Sequence, residues 1–193
     1  MYLIRKTLPA ALAAVTLGCS ALAMTPALAQ KKEQTVSVGG APMYPSKNIV
    51  QNAVNSKDHT TLVAAVKAAG LVDTLAGPGP FTVFAPTNAA FAKLPAGTVD
   101  NLLKPANKGK LVEVLTYHVV PGRLSAKDLM DAVKSNGGKA KLKTVEGEEL
   151  TVASKGNLLT VWDSKGNTSR ITIQNVFQSN GVIHVVDTVL LPG

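Results

Sequence analysis

A side chain that takes or gives a proton during catalysis is most often an imidazole, commonly oriented by a carboxylate. The run Gly181-Val182-Ile183-His184-Val185-Val186-Asp187 places both groups in one short apolar stretch. On an extended strand, however, positions 184 and 187 point to opposite faces, with backbones roughly 10 Å apart. A hydrogen-bonded His-Asp dyad is therefore excluded. His184 shares a face with Val182 and Val186, and Asp187 shares the other with Ile183 and Val185. Apolar residues on both faces predict a central strand covered above and below, in which His184 is a bonded structural group. Asp187 is expected to leave the core at the strand end, where Thr188 breaks the apolar run.

The other chemical candidates are few. His59 and His118 complete the histidines, and they stand far apart in the chain without the close neighbours that begin a metal cluster, so no metal site is expected. No G-x-S-x-G elbow, phosphate-binding loop or dinucleotide fingerprint is present, and the prolines of Gly77-Pro78-Gly79-Pro80 remove the N–H groups a phosphate would need. Tyr117-His118-Val119-Val120 reads as a second strand with Tyr117 and His118 on opposite faces, next to a turn at Pro121-Gly122. One of the two would reach an exposed edge and supply a contact surface. These residues describe a chain with no catalytic constellation and no cofactor.

The elements that must hold these groups change character along the sequence. Ser46 can cap a helix carrying Ile49, Val50, Ala53 and Val54, and Thr60 or Thr61 can cap a second that ends at Gly70. Phe81-Thr82-Val83-Phe84 favours a strand that Pro86 stops, after which Thr87 caps a short helix. Helical spacing follows after Thr98 and Asn107, and Ser125-x-x-Asp128 forms a capping box before Leu129. Beyond Lys141 the runs become β-like: Leu150 to Ala153, Leu158 to Trp162, Ser169 to Val176 and Val182 to Leu191, separated by turns at Gly156 and Gly166. Helices followed by an antiparallel sheet predict an α+β domain.

Residues 1–29 combine Arg5 and Lys6, an apolar stretch and Ala27-Leu28-Ala29, the pattern of a secretory signal peptide. Thr16-Leu17-Gly18-Cys19 is the weaker alternative, a lipid anchor through Cys19. A secreted or periplasmic protein is expected, with 30–45 as a flexible tail and 46–193 as one domain. Cys19 is the only cysteine, and no run outside the leader is long enough to span a membrane.

The net charge of +8 is concentrated between Lys104 and Lys143. Lys134, Lys139, Lys141 and Lys143, around the loop at Gly137-Gly138, are the candidate contacts to an anionic polysaccharide or an acidic partner. Nucleic acid is excluded because Tyr117 is the only aromatic residue of that region.

Three segments together resemble the fasciclin (FAS1) domain family: Phe81 to Phe91, Tyr117-His118, and Asn180 to Asp187, in family order and spacing. The resemblance implies a wedge-shaped β-sandwich with several short helices packed at one side. It also implies a non-enzymatic cell-adhesion module that binds a cell-surface or matrix protein or polymer, with Thr87, His184 and Asp187 as structural motif residues. Some similar secreted proteins carry a carotenoid, which implies a small apolar ligand as the alternative partner. An Asp-Ile pair that helps animal members bind integrins corresponds here to Asn175-Val176, so the carboxylate is missing.

Overall fold

The computed structural model describes residues 34–193; the leader with Cys19 and the A-x-A site lies outside them. The described part is α+β. A hairpin of β1 (Val36–Val38) and β2 (Ala41–Met43) comes first, followed by α1 (Ile49–Ala53), α2 (Thr60–Ala69) and α3 (Val72–Ala76). Then come β3 (Phe81–Pro86), α4 (Asn88–Ala92), α5 (Thr98–Leu102), α6 (Lys108–Tyr117), β4 (Val119–Pro121) and α7 (Ala126–Ser135). The chain ends in β5 (Lys139–Lys143), β6 (Glu149–Lys155), β7 (Leu158–Trp162), β8 (Thr168–Gln178) and β9 (Gly181–Val186).

Strands β3 to β9 form a seven-stranded sheet of order β4-β3-β9-β8-β7-β6-β5, in which only β3 and β9 run parallel. β8 pairs with β7 through its first residues and with β9 through the rest. Irregularities between Ile171 and Val176 separate the two halves, and Asn175 there takes φ 58°. Such bulges bend a strand and increase its twist. The bend folds the β5 to β7 half over the β4-β3-β9 half. Near the far end the Val145 N–H donates 2.8 Å to the Val119 carbonyl, which ties the segment after β5 back to β4.

Two apolar clusters result. Val83, Ala85, Ile183 and Val185 face the first, with α2 and α6, whereas Phe84 and Val186 face the second, with α7 and the inner faces of β5 to β8. β9 is buried along its whole length, as its apolar residues on both faces predict.

The segment before Ser46 differs from the expected tail. Gly39 and Gly40, at φ 58° and 77°, make the two-residue turn of a hairpin, and Val38 and Met43 are buried in the first cluster. The domain therefore includes Val36–Met43, whose strands are too short to show a period in the sequence. The cap of α1 is Asn48, which exchanges hydrogen bonds with Gln51 in a capping box. Thr87 and Ser125 cap α4 and α7 as their spacing predicts.

Candidate functional site

His184 stands at the centre of β9, buried against the ring of Phe84 at a centroid distance of 5.9 Å. Its Nε2 donates 2.9 Å to the Leu124 carbonyl, and its Nδ1 accepts from the Asn175 N–H at 3.4 Å. Both nitrogens are thus used in joining β9 to β8 and to the entry of α7. Burial lowers its pKa, against the opposing Leu124 hydrogen bond. Asn175 completes this junction, since its side chain accepts 2.7 Å from the Ala126 N–H at the start of α7. Its positive φ suits asparagine, and its carbonyl oxygen is spent inside the molecule.

Tyr117 and His118 overturn the expectation of a strand with one exposed ring. Tyr117 ends α6, His118 is its C-cap, and they are 0% and 3% exposed. The physical reason is helical spacing: successive residues at a helix end are not on opposite faces, and both rings roll into the core. The Tyr117 hydroxyl donates 3.2 Å to the Glu149 carbonyl and accepts 3.0 Å from the Ser164 N–H. His118 donates from Nδ1 to the Val114 carbonyl at 2.7 Å and accepts at Nε2 from the Leu190 N–H at 3.0 Å. Desolvation pushes its pKa down to about 4, the Val114 bond and the charge of Asp163 opposing it only partly. This pair offers no surface to a partner; it pins α6 to the second half of the sheet and to the chain's end.

Asp187 emerges at the end of β9 as expected. Its carboxylate accepts from the Arg170 N–H at 2.9 Å and from Thr188 Oγ1 at 3.1 Å, and lies 3.3 Å from Arg170 Nε and 3.9 Å from Lys93 Nζ. Partial burial opposes ionisation, but these hydrogen bonds and cations outweigh it and hold the carboxyl below its ordinary pKa. Thr87 stays a capping residue, accepting 3.2 Å from the Ala90 N–H.

His59 hydrogen-bonds to Ser56 through Nδ1 at 2.8 Å and borders an apolar cavity of about 60 Å³ lined by Val38, Leu62, Val83 and Ile183. That volume is well below the roughly 150 Å³ that admits benzene. As it stands, the cavity is too small to hold a carotenoid. No three His, Cys, Asp or Glu among the described residues are grouped to hold a metal.

The basic stretch is divided by the fold. α6, with Lys108 and Lys110, packs on α2 against the first cluster, while Lys139, Lys141 and Lys143 project from β5 on the other half of the sheet. β5 alternates buried Ala140 and half-buried Leu142 with these exposed lysines. Lys134 is exposed in the last turn of α7. Lys141 pairs with Glu149 at 2.9 Å, and the ammonium of Lys139 sits 5.7 Å from the ring centre of Trp162. The structure thus groups the β5 lysines with an aromatic residue that local composition left out, because Trp162 is distant in sequence.

Asp163 is a further residue that sequence reasoning missed. Buried beside this sheet, it accepts from the N–H groups of Lys165 and Asn167 in its own turn and from that of Leu191 at 2.9 Å. The local signal was the Asp-Ser-Lys-Gly-Asn turn, in which an aspartate bonds backbone two residues on.

Known proteins place this architecture. The fold matches the FAS1 domain pair of the insect cell adhesion molecule Fasciclin I with a TM-score of 0.68 at 17% identity, over 83% of this chain and 58% of that one. Protein sll1483 of Synechocystis sp. is 44% identical over 94% of this chain and 93% of its own length. The cell surface glycolipoprotein MPB83 of Mycobacterium bovis is 36% identical over 81% of this chain and 64% of its own. The Fasciclin domain model matches residues 57–192. With the signature residues sequestered as fold-determining contacts and the match running through nearly the whole described sheet, this chain belongs to the fasciclin domain family.

Proposed function

We propose that the protein is an exported, non-catalytic adhesion module that attaches to an anionic polysaccharide of a cell surface or matrix. The observation that carries this reading is the division of labour among its polar groups. His118 and His184 spend both ring nitrogens on backbone partners, whereas Lys134, Lys139, Lys141 and Lys143 are exposed. Chemistry is held inside and charge is displayed outside. Relatives described as a cell surface glycolipoprotein and a cell adhesion molecule support the same setting, as does the N-terminal leader pattern.

Retention on immobilised heparin and polygalacturonate, against neutral agarose, tests the reading. Replacing the four lysines by glutamine should reduce retention strongly with little change in melting temperature, because exposed charges contribute little to stability. Salt should have the same effect, as the Debye length falls from about 10 Å at 0.1 M to about 3 Å at 1 M. Parental retention and salt dependence in the folded quadruple variant would refute attachment through these lysines.

A further inference from the structure

Register across the second half of the sheet brings together side chains that no sequence motif connects. Lys141, Thr151, Trp162 and Thr168 form one cross-strand row, and Lys139, Ala153, Thr160 and Arg170 form the next. The alternate residues Leu150, Val152, Leu159 and Val161 are buried, so both rows lie on the solvent face. Ala153 is the smallest side chain of the two rows. Across it Lys139 reaches over β6 to the Trp162 ring on β7, a span of roughly 9.5 Å between strand axes.

The charge of this face is only partly neutralised. Lys141 is paired with Glu149 and Arg170 with Asp187, but Lys139 and Lys143 take part in no ion pair of the described residues. Along β5 the ammonium-bearing positions repeat at about 7 Å. The Trp162 ring holds the Lys139 ammonium by a cation–π contact, which limits the freedom lost when an anion binds it.

We propose that the solvent face of β5 to β7, centred on Trp162, is the binding site for a linear acidic polysaccharide. The inference rests on the adhesion reading and gives it a location. Carboxylates of the polymer meet Lys139, Lys141 and Lys143. Sugar hydroxyls meet Thr151 and Thr160, and sugar C–H faces meet the part of the indole that Lys139 leaves open. Charge complementarity selects an anion, and the remaining chemistry selects its class. A single-stranded nucleic acid would need several stacking rings, and Trp162 is the sole tryptophan. A bilayer would need a cluster of apolar side chains to insert, and from β5 through β7 only Val145 and Leu158, at opposite ends of β6, are large, apolar and exposed.

The sole tryptophan lies in the proposed site, so its own emission reports occupancy. Polygalacturonate should change Trp162 fluorescence saturably at low salt, and neutral dextran should not. In affinity electrophoresis through polygalacturonate, Lys139→Gln with Lys141→Gln should weaken retention by about tenfold, as should Trp162→Ala, while Trp162→Phe keeps most of it. Lys108→Gln with Lys110→Gln on α6 should leave it unchanged, and circular dichroism checks that each variant folds. Retention without an emission change, with Trp162→Ala at parental strength, would overturn this site and leave the adhesion reading intact. Absence of retention of the parent would overturn both. A larger emission change with an oligonucleotide or with phosphatidylserine vesicles than with polygalacturonate would overturn the polysaccharide as occupant.

Discussion

In His118 one ring nitrogen donates to Val114 and the other accepts from Leu190, so a second proton would displace the Leu190 N–H inside the core. The folded pKa of about 4 lies below the 6.5 of an unfolded histidine. The unfolded chain therefore takes up the proton first as pH falls. Stability from this residue is complete above about pH 6.5 and is lost toward pH 4, on the order of 3 kcal/mol in total. Burial lowers the pKa of His59 and His184 as well, which adds to the slope with the same sign. Urea midpoints at pH 7 and pH 5 should show this loss, and His118→Gln should flatten it while lowering stability at pH 7. An unchanged slope in that variant would remove His118 as its source.

Among the elements, the N-terminal hairpin and α7 are set by different kinds of information. The two glycines of the β1–β2 turn fix its reversal, but its value to the fold lies in Val38 and Met43, which are 4% and 3% exposed. Met43→Ala should cost about 2–5 kcal/mol, the range for emptying a buried methionine site. A denaturant midpoint equal to the parent's would show that the hairpin stands outside the cooperative unit. At α7, Ser125 and Asp128 exchange the hydrogen bonds of a capping box. Ser125→Ala should cost about 1 kcal/mol. The capping signals at Thr87 and Ser125 were legible because both partners of each bond lie within one turn. The end of α6 is not legible in this way, because Tyr117-His118-Val119-Val120 fits a strand locally and its helical face is defined only by what packs on it.

At the scale of the whole molecule, β3 and β9 bind the two apolar clusters into one unit, since alternate residues of the same strands serve each. Loss of either cluster uncovers the other's central strands. Unfolding should therefore be a single transition. Far-UV circular dichroism, dominated by helices packed on the first cluster, and the fluorescence of Trp162, on the opposite half, should give coincident denaturant curves. Separated midpoints would show that the bend in β8 divides the domain into independently stable halves. The same bend explains why a basic stretch continuous in sequence is not one face: α6 and β5 belong to different halves, and only the β5 lysines stand beside Trp162.

What the chain determines by itself is whatever depends on near neighbours and on period. The caps at Thr87 and Ser125, the turns at Gly70, Gly156 and Gly166, the burial of both faces of β9 and the impossibility of a His184–Asp187 dyad all follow from spacing along one element. The family was readable for a related reason, as its segments lie in linear order. Tertiary structure alone decided the distant partners of the buried imidazoles, because Leu124, Asn175 and Leu190 reach His184 and His118 only after the sheet has folded at β8. It also decided the face on which Lys139 meets Trp162, since cross-strand register, set by bulges and turn lengths over many residues, leaves no local mark in composition.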